Sequence, residues 1–191
     1  NNGTATTVSK VTTLTVAVTG AAPTGQVFNT DMNPNDFVVT DSSGHSGRAV
    51  FIFDTENGTI DGWSPGVGVA AGSSPPSTVT EVARDNGANA VYKGLAIAQA
   101  SDGHTYLYAT NFHNGTVDVF DKNFAPHTFS AGQFTDPNAP AWFAPFGIQN
   151  IGGNLYVTYA KQDADKHDDV AGPGNGFIDE FDTSGHFLMR F

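Results

Sequence analysis

Four aspartates crowd one short stretch of this chain: Asp163, Asp165, Asp168 and Asp169, with His167 among them. The stretch closes on Gly172-Pro173-Gly174-Asn175-Gly176, residues that bend a chain readily. Hard cations such as Ca²⁺ take about six to eight oxygen ligands, which closely spaced carboxylates and loop carbonyls supply. The stretch is therefore a Ca²⁺ candidate, and its alternative is a solvated acidic loop between two strands. The spacing is not that of an EF-hand, because no Glu closes the loop and the central Gly is misplaced. A single His among carboxylates makes a poor transition-metal site.

Nucleophilic chemistry has less to stand on. Ser43-Gly44-His45-Ser46-Gly47 places serine beside histidine, but it is not a nucleophile elbow and no helix follows it. His104, His113 and His127 fall at loops or strand ends without a partner visible in the sequence. There is no cysteine, which excludes disulfides and thiolate chemistry. No catalytic set is legible.

The elements that must position these residues are strands. Asn114-Gly115-Thr116 lies between Tyr106–Thr110 and Val117–Asp121, an apolar run, a turn and an alternating run, which predicts a hairpin. The same pattern stands at Asn57-Gly58-Thr59 and, altered, at Asn175-Gly176-Phe177, and Asn2-Gly3-Thr4 opens the chain. These four sites are between 55 and 61 residues apart. A repeat of that length made of strands predicts an all-β fold of the β-propeller type. No amphipathic helix is expected.

Taken in order, residues 1–20 read as a partial blade, followed by blades over 21–84, 85–131 and 132–191. Each full blade has four strands and a glycine near the start of the first: Gly25, Gly94 and Gly147. Three and a half blades fall short of the roughly four to eight that close a ring. Flanking blades, or a second copy pairing through edge strands such as Thr13–Val18 and His186–Phe191, are expected to cover the open edges. The loops entering the innermost strands carry Tyr92, Lys93, Trp142, Phe143 and Phe146, a candidate mouth for a carbohydrate or another small flat ligand. The competing reading of these aromatics is packing between blades. Asn2, Asn57 and Asn114 also match the N-glycosylation acceptor, although turn chemistry alone accounts for two of them.

Composition narrows the partners. Nineteen acids against eight bases give a net charge of −11, which argues against nucleic acid and anionic membranes. No run of about 18 apolar residues is present for membrane insertion.

Several longer segments carry a resemblance: Gly94-Leu95-Ala96-Ile97, Tyr108–Phe112, Gly115–Asp121, Phe143–Asn150 and Tyr156–Asp169. Together they resemble an uncharacterised family of secreted bacterial propeller proteins, some of which end in a surface-sorting signal. The resemblance implies a longer, six-bladed, exported or cell-surface protein and brings no established activity. The chain departs from that pattern by lacking the opening and final blades. The function expected is binding or assembly, with Ca²⁺ stabilising the acidic loop. The alternatives are a metal-dependent hydrolase of the lactonase type and a self-assembling fibre or oligomer subunit.

Overall fold

The computed structural model describes residues 14–130 and 132–191. The described chain is all-β apart from one 3₁₀ turn, Gly87–Asn89. Three four-stranded antiparallel sheets follow one another along the sequence. Sheet 1 holds β1 (Pro23–Phe28), β4 (Phe51–Thr55), β5 (Thr59–Trp63) and β6 (Glu81–Asp85). Sheet 2 holds β7 (Tyr92–Gln99), β8 (Thr105–Asn111), β9 (Thr116–Phe120) and β10 (Pro126–His127). Sheet 3 holds β11 (Phe143–Ile151), β12 (Asn154–Lys161), β13 (Gly176–Phe181) and β14 (Phe187–Arg190). A separate two-stranded hairpin, β2 (Val38–Thr40) with β3 (Ser46–Arg48), is inserted between β1 and β4.

Strand alternation explains how the sheets stack. In β8, Leu107 and Ala109 join the apolar cluster that sheet 2 shares with Ile52 and Ile60 of sheet 1. The intervening Tyr106 and Tyr108 join the cluster shared with Leu155, Val157 and Phe181 of sheet 3. Sheet 2 is thus buried on both faces, and nearly every residue of β8 is inaccessible to water. Sheet 3 has one covered and one open face. Its open face carries Ile151 (56% exposed), Ile178 (39%), Met189 (47%) and Phe191 (63%).

The first strands of successive sheets lie side by side, and glycine permits it. A Cβ on Gly25 would collide with the backbone nitrogen of Leu95 on β7. A Cβ on Gly94 would stand 3.0 Å from Gly147 Cα and 3.1 Å from Phe146 O on β11. A Cβ on Gly147 would meet only the Thr158 hydroxyl of its own sheet, at 3.0 Å.

The Asn57-Gly58 and Asn114-Gly115 turns both form, each on its glycine. Only Gly58 and Gly115 take a positive φ (83° and 71°), not the Asn before them. Gly58 N–H closes on Thr55 O at 3.1 Å, and Gly115 N–H closes on Asn111 O at 2.9 Å, so glycine alone supplies the left-handed corner. At Asn175-Gly176 there is no such turn, because residues 162–175 form a long connection and Gly176 already begins β13. The strand expected over 13–18 is reduced, among its described residues, to one parallel bridge between Ala17 and Val79. The Asn2 turn lies outside the described residues.

Candidate functional site

Two stretches singled out in the sequence meet in space. Lys93 stands next to Gly94 on β7, and its side chain is only 5% exposed. Its ammonium donates to Glu56 Oε1 from the β4–β5 turn of sheet 1, at 2.5 Å. It also donates to Asp168 Oδ1 from the β12–β13 connection of sheet 3, at 3.3 Å. The Phe112 and Phe146 rings stand 5.9 Å from the same ammonium, and they meet each other edge to face at 5.4 Å. One cation therefore ties three sheets, screened from water by two aromatic rings. The hydrogen bond from Lys93, then that from His167, holds the Asp168 carboxyl below its ordinary range.

The other residues expected at this mouth are dispersed. Tyr92 is fully buried, and its hydroxyl donates to Asp118 Oδ2 at 3.0 Å while accepting from Asn86 Nδ2 at 2.6 Å. Burial, and then the Asp118 charge, push that hydroxyl pKa up, so it remains a donor. Phe143 packs on Phe177 at 5.5 Å. Trp142 is 61% exposed in a left-handed conformation.

The acidic stretch folds on itself. Asp163 Oδ1 accepts the His167 amide at 2.9 Å, Asp163 N–H donates to Asp168 O at 2.9 Å, and Asp169 bridges Gln162. Asp165 is not brought to the others: among the described residues no three His, Asp or Glu side chains converge in a way that could hold a metal ion. The amide nitrogens of the glycosylation candidates are also engaged, Asn57 Nδ2 with Gly20 O at 2.9 Å and Asn114 Nδ2 with Asn89 O at 2.8 Å.

The sequence reading missed the aspartate of each repeat. Asn-Gly-x-Ile/Val-Asp places Asp61, Asp118 and Asp179 at matching points of the third strands, and the pattern was visible behind the turn signal. Asp61 is fully buried and accepts from Thr59 (2.7 Å), Gly20 N (2.8 Å) and Thr80 (2.8 Å). Asp179 is fully buried and accepts from Arg190 Nε at 2.8 Å, and the same guanidinium reaches Asp136. Asp118 accepts from Thr116 (2.8 Å), Asn111 (3.0 Å) and Tyr92 (3.0 Å), and it stays half-buried on a cavity of about 520 Å³.

Of the histidines without a partner visible in the sequence, His104 gains Asp102, and His127 packs on the Tyr106 ring at 4.5 Å. His45 pairs with Asp41 at 2.9 Å, His186 with Asp182 at 2.8 Å, and His104 lies 3.5 Å from Asp102. Each His amide also donates to the same Asp, so these are turn-closing pairs. Ser43 and Ser46 are held elsewhere, Ser43 N–H by Asp41 and the Ser46 hydroxyl by Thr40.

No family model matches the chain. It is similar to three uncharacterised proteins of Acanthamoeba polyphaga mimivirus. It is 30% identical to R640 over 147 residues, which is 75% of this chain and 25% of that protein. It is 29% identical to R648 over 185 residues, 95% of this chain and 42% of that protein. It is 37% identical to L690 over 105 residues, 53% of this chain and 26% of that protein. The chain thus spans less than half the length of each relative. These viral relatives overturn the expectation of a secreted bacterial family.

Proposed function

We propose that the chain contributes successive blades of a β-propeller that works by binding or assembly. The observation that carries this reading is the glycine series. Gly25 and Gly94 each seat against the first strand of the following sheet, while Gly147 faces no following strand among the described residues. The apolar outer face of sheet 3, with Ile178 and Met189, continues that open seat and suits a further sheet of the same kind. Propellers close with roughly four to eight such sheets, and relatives more than twice as long as the matched region have room for them. Binding is favoured over turnover because the repeat carboxylates Asp61 and Asp179 are consumed as internal ties.

Electron cryo-microscopy of the complete polypeptide tests the architecture. A ring around a central channel is the expected result, and a linear stack of sheets would refute it. Turnover of lactone or ester substrates above background, dependent on added divalent metal, would replace binding by hydrolysis. A second reading, assembly through the sheet 3 face, follows from its exposed Ile178, Met189 and Phe191. It predicts concentration-dependent association in light scattering that Ile178→Asp abolishes.

A further inference from the structure

The three repeat aspartates meet three different fates, and the difference marks a site. In sheet 1 the outer strand β6 has five residues, and Thr80 just before it donates its hydroxyl to Asp61. In sheet 3 the outer strand β14 has four residues and delivers Arg190 onto Asp179. In sheet 2 the outer strand β10 has only two residues, and nothing from it reaches Asp118. Asn111 and Tyr92, from inner strands, donate to Asp118 Oδ2 instead, Oδ1 receives only Thr116, and the space beside the carboxylate is the cavity of about 520 Å³. Asn89, Asn114, Thr116, Thr128 and Gln133 line it, over an apolar floor that includes Val117 and Phe134. Neither lysine nor arginine lines it.

We propose that this cavity binds a neutral polyhydroxylated ligand, a saccharide, with Asp118 accepting one of its hydroxyls. The internal comparison selects this chemistry. Asp118 resembles Asp61 more than Asp179, since each has a threonine two residues earlier donating to its Oδ1: Thr59 at 2.7 Å and Thr116 at 2.8 Å. The filler at Asp61 is a hydroxyl with a backbone N–H, groups of the kind a sugar presents. At Asp179 the filler is a guanidinium, but there a second carboxylate, Asp136, shares it and the Phe177 ring lies 3.7 Å beneath it. Sheet 2 has neither a second carboxylate in the cavity nor an aromatic at the Phe177 position, which Thr116 occupies. Asn114 Nδ2 is held by Asn89 O and Gln133 Oε1 by Phe129 N, which leaves Asn114 Oδ1 as acceptor and Gln133 Nε2 as donor for sugar hydroxyls, and the apolar floor receives the sugar's C–H face. The inference rests on the binding reading above but not on closure of a ring.

Saturation-transfer difference NMR tests it, using the chain with glucose, galactose, mannose and N-acetylglucosamine, and with N-acetylarginine amide as the cationic probe. Transfer to at least one sugar is expected. Asp118→Asn should weaken it about tenfold or more, because the new amide no longer accepts at both oxygens. Thr128→Ala, on the rim, should weaken it less, and Asp102→Asn, outside the cavity, should leave it unchanged. Circular dichroism of each variant separates lost binding from lost fold. Transfer to the arginine amide alone, transfer to no probe, or sugar transfer indifferent to both cavity substitutions would each overturn the proposal.

Discussion

Lys93 and Asp168 lie 75 residues apart in sequence and 3.3 Å apart in space, on the second and third sheets, and Glu56 of the first completes the tie. A buried ammonium is tolerated only where carboxylates meet it, and here each carboxylate arrives from a different repeat. Lys93→Met is expected to lower stability by about 1–2 kcal/mol, since Glu56 is left partly buried without its partner. Denaturant melts of the single and the Glu56→Gln double variant check this. If the two losses simply add, the ion pair is not the tie described.

The glycine seats give a graded prediction. Gly94→Ala drives a methyl into the Gly147 and Phe146 backbone and should cost about 1–3 kcal/mol. Gly147→Ala meets only the Thr158 hydroxyl and should cost clearly less. Thermal melts of the two variants side by side decide the matter, and equal losses would contradict the close approach of β7 to β11.

Asp54 sets a pH dependence. It is fully buried, Oδ2 has no hydrogen-bond partner, and desolvation raises its pKa from 3.8 to about 6. An acid with a raised folded pKa weakens the fold while ionised: the cost is full above about pH 6, shrinks as pH falls and is gone below 3.8. Burial raises Glu81 and Asp179 in the same direction. Asp102 and Asp182 are lowered, so their contribution is present above their ordinary value of 3.8 and is lost only as pH falls through the lower folded value. Melting temperature should therefore rise from pH 7 to pH 5, and Asp54→Asn should flatten that slope. A slope unchanged in the variant would remove Asp54 as its source.

Arg190 holds the end of sheet 3. It reaches Asp179 and Asp136, both nearly inaccessible as side chains, and covers the Phe177 ring. Arg190→Ala should cost about 2–4 kcal/mol, because two buried carboxylates lose one counter-charge. Arg190→Lys should recover only part of that loss, lacking the planar fork. Chemical denaturation measures both, and full recovery by Lys would show that charge alone matters.

Calcium is expected to leave the melting temperature unchanged. Asp168 is committed to Lys93, and Asp163 to the His167 amide. A Ca²⁺-dependent rise that disappears when Asp165 and Asp168 are both changed to Asn would restore the acidic stretch as a cation site.

The strand pattern was legible because alternation and Asn-Gly signals are local. The runs expected over Tyr106–Thr110 and Val117–Asp121 stand within one residue as β8 (Thr105–Asn111) and β9 (Thr116–Phe120). The edge strands were read less well: the one expected over His186–Phe191 is Phe187–Arg190, and the one expected over 13–18 is, among its described residues, a single bridge at Ala17. Outer strands pair on one side only, so turn and edge contacts rather than alternation set their ends.

The sequence by itself determined the all-β class, the repeat, the glycines of the first strands and an acidity that disfavours anionic partners. Each follows from side-chain periodicity, backbone freedom or summed charge, properties fixed by neighbours along the chain. Only the tertiary structure decided which acids are buried and what they meet. Asp61, Asp118 and Asp179 are written alike, yet Thr80, an open cavity and Arg190 face them in turn. Thr80 and Arg190 come from outer elements 19 and 11 residues away, and the length of one outer strand is enough to turn an internal tie into an accessible acceptor.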